Sequence, residues 1–262
     1  MASGPEASGP EASGPEASGP EASGPEAFGP EVSGPEAFWY ARLGVFDLET
    51  TGIDTDTCRI VSAYVGVVDS NGAPKGVSWL ADPGIEIPVQ ASAVHGITTD
   101  RARAEGRDAA EVVAEIVAVL RALLRQGVPI VIYNASYDLT LLNRECVRYG
   151  IEPLDDPLPI IDPLVIDRAM DRYRKGKRTL EAAAEHYGIE FMDAHDAEAD
   201  AVAAGRVAQA IGRKYWDTLE HDVTRMHTSQ VTWAADSATS FQDYMRRTKD
   251  PAFVANGAWP QR

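Results

Sequence analysis

Beyond residue 37 the apolar positions fall into short runs separated by glycine, proline and asparagine, and their spacing predicts a succession of strands and helices. Leu43-Gly44-Val45-Phe46 leads into Asp47-Leu48-Glu49 and meets Thr50-Thr51-Gly52, which reads as a buried strand that stops abruptly. Arg59 to Val68 is a β-rich run followed by Asn71-Gly72, a hairpin signal that makes Gly76 to Leu80 the returning strand. From Asp82-Pro83-Gly84 through Pro88 to Thr98 the period is lost, and an irregular loop is expected. Asp108 to Arg125 carries apolar residues at 112, 113, 116, 117, 120, 123 and 124, the stripe of an amphipathic helix. Val128 to Tyr133 reads as a buried strand, and Asn134 starts a helix closed by Gly150. Pro159 to Asp162 is a short strand with a helix from Pro163, and further helices span Thr179 to Tyr187 and about Asp196 to Ile211.

The order βββαβαβαα predicts an α/β domain, a mixed sheet whose later strands are joined by helical crossovers. Three regions are expected. Residues 1–37 hold a five-residue Ala-Ser-Gly-Pro-Glu repeat in which Gly-Pro recurs too often for helix or ladder, so a disordered tail is predicted. Residues 38–213 form the folded domain. Residues 214–262 read as a helical extension whose aromatics, Trp216, Trp233, Phe241, Tyr244 and Trp259, pack back onto the domain or stack on nucleic-acid bases.

Charge narrows the choice of partner. Of a formal net charge of −16, seven negatives are the repeat's glutamates (Glu6, Glu11, Glu16, Glu21, Glu26, Glu31 and Glu36), which leaves −9 elsewhere. A whole-chain basic footprint for nucleic acid is therefore absent, and positive charge has to be local or come from metal ions. The run Arg168, Arg172, Arg174, Lys175, Lys177 and Arg178 is the one local candidate for gripping phosphates. Cys58 and Cys146 lack C-x-x-C spacing, so neither a disulfide framework nor a zinc site is indicated. Without a secretory leader pattern or a run of membrane-spanning length, the chain is expected to be cytoplasmic with no membrane partner.

The candidate chemistry lies in acids. Side chains two apart on a strand share a face, so Asp47 and Glu49 point together at the strand's end. Adjacent carboxylates at a core edge repel each other and call for a proton or a cation between them. Asp138 stands near the start of the helix after the fourth strand, where open α/β sheets gather ligands; the alternative is a first-turn acid favoured by the helix dipole. In His195-Asp196-Ala197-Glu198-Ala199-Asp200 the natural arrangement puts His195 in the entering loop and Asp196 at the cap. Asp200 then lies one turn inside, among Ala197, Ala201 and Ala204. Together Asp47, Glu49, Asp138 and Asp200 suit hard divalent cations, and a loop histidine beside them suits a general base.

Phe46-Asp47-Leu48-Glu49-Thr50-Thr51-Gly52, Asn134 through Asp138, and His195-x-x-x-x-Asp200, in that order, resemble the motifs of the DEDD 3′–5′ exonucleases. A histidine five residues before the last aspartate selects the histidine (DEDDh) branch, which includes the proofreading epsilon subunit of bacterial DNA polymerase III, RNase T and oligoribonuclease. The resemblance covers about residues 40–213. It implies a ribonuclease H-like fold with a mixed five-stranded sheet, and hydrolysis of single-stranded DNA or RNA from 3′ ends to nucleoside monophosphates. It further implies two Mg²⁺ or Mn²⁺ ions on Asp47, Glu49, Asp138 and Asp200, with His195 deprotonating the attacking water. Thr50, Thr51, His95 and Asn134 would meet the substrate, and a DNA polymerase or repair protein would be a partner. The competing readings are an RNA-trimming exoribonuclease and a non-catalytic nuclease-like interaction module.

Overall fold

The computed structural model describes residues 38–70, 73–191 and 195–262, together with Met1. The repeat and the Asn71-Gly72 turn lie outside the described residues. Among the described residues six strands form one sheet: β1 (Arg42–Thr50), β2 (Ile60–Asp69), β3 (Lys75–Asp82), β4 (Arg107–Asp108), β5 (Ile130–Val131) and β6 (Ile160–Ile161). Their spatial order is β4-β3-β2-β1-β5-β6. The β1–β2 and β2–β3 pairs are antiparallel, whereas β4, β5 and β6 each join in parallel. The mixed sheet thus stands as expected, with six strands where five were anticipated. The extra strand β4 is two exposed residues long and carries no apolar signal.

Eight helices are described: α1 (Val89–His95), α2 (Thr99–Glu105), α3 (Ala109–Arg125), α4 (Ala135–Tyr149), α5 (Pro163–Met170), α6 (Leu180–Tyr187), α7 (Ala197–Lys214) and α8 (Val223–Thr248). The predicted irregular loop before Thr98 instead holds α1, and α2 follows directly. Pro88 occupies the α1 N-cap, where its missing N–H is harmless, and no α1 residue is buried, so no apolar period marks the helix. In α3 the expected stripe is the buried one, with Val112, Val113, Ile116, Val117, Leu120 and Leu123 all inside.

The central strand β1 is covered on both faces, and its alternation assigns each residue a side. Phe46 and Leu48 enter the core formed with α3 and α4, whereas Leu43 and Val45 enter the core formed with α7. A period of two therefore sends Asp47 and Glu49 toward α7. Gly205 lets that helix come close: a Cβ there would lie 2.6 Å from Val45 Cγ1 and 2.8 Å from Val68 Cγ2. The β1–β2 register shifts between Glu49 and Thr50, an irregularity that turns the strand end out of the ladder where the acids stand.

The C-terminal residues close the opposite edge of the sheet. Strand β6 has a free edge, and α8 satisfies it with side chains. Gln230 Oε1 accepts from Asp162 N at 2.6 Å, Gln230 Nε2 donates to Ile160 O at 3.0 Å, and His227 Nδ1 accepts from Ile160 N at 3.1 Å. Burial lowers the His227 pKa, consistent with a neutral ring accepting there. Trp259 is buried and donates from Nε1 to Asp162 Oδ2 at 3.2 Å, and Gln261 Nε2 donates to Leu154 O at 2.8 Å. No helix among the described residues is long and apolar enough to cross a membrane.

Candidate active site

Three elements place the acids. Strand β1 carries Asp47 and Glu49 on its α7 face, and α7 answers with Asp200 in its first turn. One carboxylate oxygen from each of Asp47, Glu49 and Asp200 lies within 4.8 Å of the others. Asp138, in the first turn of α4, is buried beside this group rather than inside it. The backbone amides of Asp138 and Leu48 act on its carboxyl and oppose the effect of burial.

The electrostatics are one-sided. Burial pushes the Asp47 carboxyl well above its usual range, and Asp138, Asp200, Glu49 and Asp196 push it further. Glu49, 9% exposed, is raised to about 8 by burial and then by Asp200 and Asp196. Asp200 is raised by burial, with the His195 backbone N–H, donating to Oδ1 at 3.1 Å, as the main opposing influence. Among the described residues, the charged groups acting most strongly on Asp47 and Glu49 are all acids. A cluster of hard oxygen donors set among acids fits divalent metal ions.

This arrangement makes folding sensitive to pH. Unfolded Glu49 loses its proton near 4.5 and folded Glu49 near 8, so between those values the folded chain holds more protons and stability falls as pH rises. Asp47, Asp138 and Asp200 shift in the same direction. In EDTA the melting temperature is expected to decline across that window. In Mg²⁺ it should be higher, by a margin that widens with pH. Scanning calorimetry in both buffers tests this, and a metal-independent melting temperature would count against a cation site.

His195 enters α7 from a left-handed backbone turn, φ 72°, and Asp196 caps the helix by accepting from Glu198 N and Ala199 N at 3.1 and 3.2 Å. The cap arrangement expected from the sequence is therefore present. The His195 ring is 44% exposed, with Nε2 3.7 Å from Glu181 Oε1. Glu181, on α6, escaped the sequence reading because nothing in the chain order marks it as a neighbour of His195.

The other candidate residues divide by what holds them. Thr50 Oγ1 donates to Gly52 O at 2.7 Å and lies 2.8 Å from the Tyr137 hydroxyl, which also reaches the Gly52 carbonyl. Thr51 Oγ1 accepts from Arg59 N at 2.9 Å. Both threonine hydroxyls are thus occupied within the turn that ends β1. Tyr137 pins that turn to α4; the sequence reading gave it no role, although its place next to Asp138 was the available signal. His95 ends α1, with Nδ1 accepting from Ile97 N at 3.2 Å. Burial lowers its pKa, against an opposing influence from the Thr50 backbone, and His195 lowers it further, so His95 stands beside the same strand end.

Asn134 adopts the left-handed conformation, φ 68°, that asparagine tolerates better than most residues. Its N–H and that of Ala135 donate to Asp162 at 3.0 and 2.9 Å. Asp162 also accepts from Leu164 N at 3.0 Å, so it caps α5, as its position predicts, and fixes the second motif as well. The basic run is smaller than its sequence suggests, because Arg174 and Arg178 both turn onto the buried carboxylate of Asp167.

A mixed sheet with helices on both faces, and carboxylates gathered where its central strand meets two helix starts, defines a ribonuclease H-like nuclease domain. The chain belongs to the exonuclease family (RNase T type), whose sequence pattern matches residues 45–208, and within it to the DEDDh type that the motifs resemble. It is 28% identical over 157 residues to the DNA polymerase III subunit epsilon of Treponema pallidum (strain Nichols), covering 60% of this chain and 69% of that protein. A PolC-type DNA polymerase III from Pediococcus pentosaceus is 23% identical over 188 residues, covering 69% of this chain. Among solved structures, E. coli exonuclease I in complex with a dT13 oligonucleotide shares the fold, with a TM-score of 0.57 and 24% identity over 68% of this chain. The chain spans 12% of that PolC-type polymerase and 42% of that exonuclease I chain.

Proposed function

We propose that this chain is a divalent-metal-dependent 3′–5′ exonuclease that removes nucleoside monophosphates from single-stranded DNA. The observation that carries the reading is the approach of Asp47, Glu49 and Asp200 to within 4.8 Å, with acids as the strongest charged influences on Asp47 and Glu49. Those three residues and Asp138 would hold the ions. Bound divalent cations would supply Lewis-acid charge at the scissile phosphate. The choice of DNA rests on the DNA polymerase III relatives and on the oligodeoxynucleotide bound by exonuclease I.

The chain's own residues account for the remaining roles. His195, tethered through its backbone to Asp200 with its ring half exposed, accepts the proton from the attacking water. The water oxygen bonds to phosphorus, the bond from phosphorus to the 3′-oxygen of the preceding nucleotide breaks, and that oxygen takes a proton from solvent. The Thr50-Thr51-Gly52 turn, held rigid by Tyr137 and Arg59, presents its backbone to the 3′-terminal nucleotide. His95 and Asn134 flank the same nucleotide.

With a 5′-labelled oligonucleotide and Mg²⁺, a ladder shortening from the 3′ end is expected, and EDTA should stop it. His195→Ala should lower turnover by about 10²–10⁴-fold, the usual contribution of a general base, while the metal-induced rise in melting temperature persists. If metal affinity fell and the rate per bound metal did not, His195 would be a ligand or scaffold. A label released at once as mononucleotide, with no ladder, would overturn the polarity.

A further inference from the structure

Two cavities meet along the seam between α5 and α8. The first, about 540 Å³, has Asn134 and Ser136 of the second motif on its lining, together with Trp233, Phe241 and Phe253. The second, about 420 Å³, is lined by Arg168, Arg172 and Ser240. Arg168, Trp233 and Ser237 line both, so one groove runs from the turn that leads to Asp138 out to the basic loop. Each part falls within the range of about 300–1,000 Å³ typical of sites for organic ligands.

The groove's charge sets it apart from the rest of this acidic chain. Arg168 and Arg172 are exposed and make no ion pair among the described residues; Arg172 Nη2 donates to Ser240 Oγ at 3.2 Å. Arg174 and Arg178, on the same lining, turn inward and share the single carboxylate of Asp167, so only one of their two positive charges is balanced there. Two acids line the groove. Asp162 is buried and already accepts from four donors, and Asp236 is exposed on α8. Guanidinium groups without an acid partner beside aromatic side chains are the chemistry that holds a flexible polyanion carrying stackable bases. The helix supplying Trp233 and Phe241 lies beyond the residues matched by the exonuclease family, 45–208.

We propose that this groove carries the single-stranded DNA leading away from the 3′-terminal nucleotide, with Arg168 and Arg172 on phosphates and Trp233 and Phe241 against bases. The proposal rests on the exonuclease reading for its ligand. It assigns the C-terminal helix a role in substrate retention and gives the acidic chain its local cationic surface.

The test is fluorescence anisotropy of a labelled oligothymidylate of about 20 nucleotides, longer than a typical single-strand site of about 4–16. Measured in EDTA, binding is read without metal-dependent turnover. Arg168→Ala/Arg172→Ala should weaken binding and flatten the slope of log affinity against log salt by about 1.4, from about 0.7 per lost phosphate contact. Trp233→Ala should weaken it on the order of tenfold. Arg168→Lys/Arg172→Lys should restore the slope. In turnover, the arginine double variant should raise KM for the long strand and leave a dinucleotide unaffected.

Unchanged affinity and slope in the double-alanine variant would overturn the groove, as would wild-type protein that fails to bind. Tighter binding of an RNA strand of equal length would overturn the choice of DNA. If the wild type hydrolysed neither substrate, the exonuclease reading would fail while anisotropy still judged the groove.

Discussion

Asp47→Asn is expected to lower hydrolysis by on the order of 10³-fold or more while raising the melting temperature of the metal-free protein. The first effect follows from removing a proposed ligand at a site where bound ions would contribute several kcal/mol of charge stabilisation. The second follows from the environment of the side chain. Its charged form is disfavoured by burial and by Asp138, Asp200, Glu49 and Asp196, so a neutral group of the same shape relieves repulsion. The Mg²⁺-induced stabilisation should shrink at the same time. Opposite signs in activity and stability distinguish a functional charge from a structural one. Steady-state rates and melting curves in EDTA and Mg²⁺ supply the check, and undiminished cleavage would remove the assignment of this site.

Asp167 presents the opposite case. Its carboxylate is fully buried, pairs with Arg174 and with Arg178 at 2.6 Å, and accepts from Tyr187 Oη at 2.7 Å. The arginine side chains are themselves only 11% and 12% exposed. Here burial raises the carboxyl's pKa but is outweighed by Tyr187, Arg178 and Arg174, and the net shift is downward. Asp167→Ala would leave two buried cations uncompensated, with an expected loss of about 3–5 kcal/mol. At this chain length that is on the order of 10 °C in melting temperature. Asp167→Asn, which keeps acceptors for the donors, should cost less. Thermal or urea unfolding measures both, and a loss below about 1 kcal/mol would show that water reaches the arginines and screens them.

The two aspartates show why some residues were legible in the sequence and others were not. Asp47 is marked by its neighbours: an apolar run, an acid two residues on, and a turn. Those features are local, and strand periodicity is enough to put both acids on one face. Asp167 sits in an ordinary helix pattern, and its partners at 174, 178 and 187 are gathered only by the path of the chain between α5 and α6. The same blindness made Arg174 and Arg178 look like part of a phosphate-gripping run. A charge count along the chain cannot see which cations are turned inward.

Strand number shows the same limit. β1 and β2 are long and apolar, so their sequence announced them, and the Asn71-Gly72 signal announced β3, whereas β4 is a two-residue ladder created by the return of the chain beside β3. Helix α1 was hidden because a helix that buries nothing has no stripe to read. In contrast, the cap of α7 at Asp196 was readable, since capping is a contact between residues two or three apart.

The sequence by itself determined the order of the elements that carry an apolar period, the shared face of Asp47 and Glu49, and the position of His195 ahead of Asp200, because each depends on residues within about one or two turns of chain. Tertiary structure decided the rest. It brought Asp200 to Asp47 and Glu49 across the packed α7–β1 contact that Gly205 permits, set Asp138 beside the group, and laid α8 along β6 and α5. Those distances are set by packing between segments far apart in sequence, and local pattern carries no measure of them.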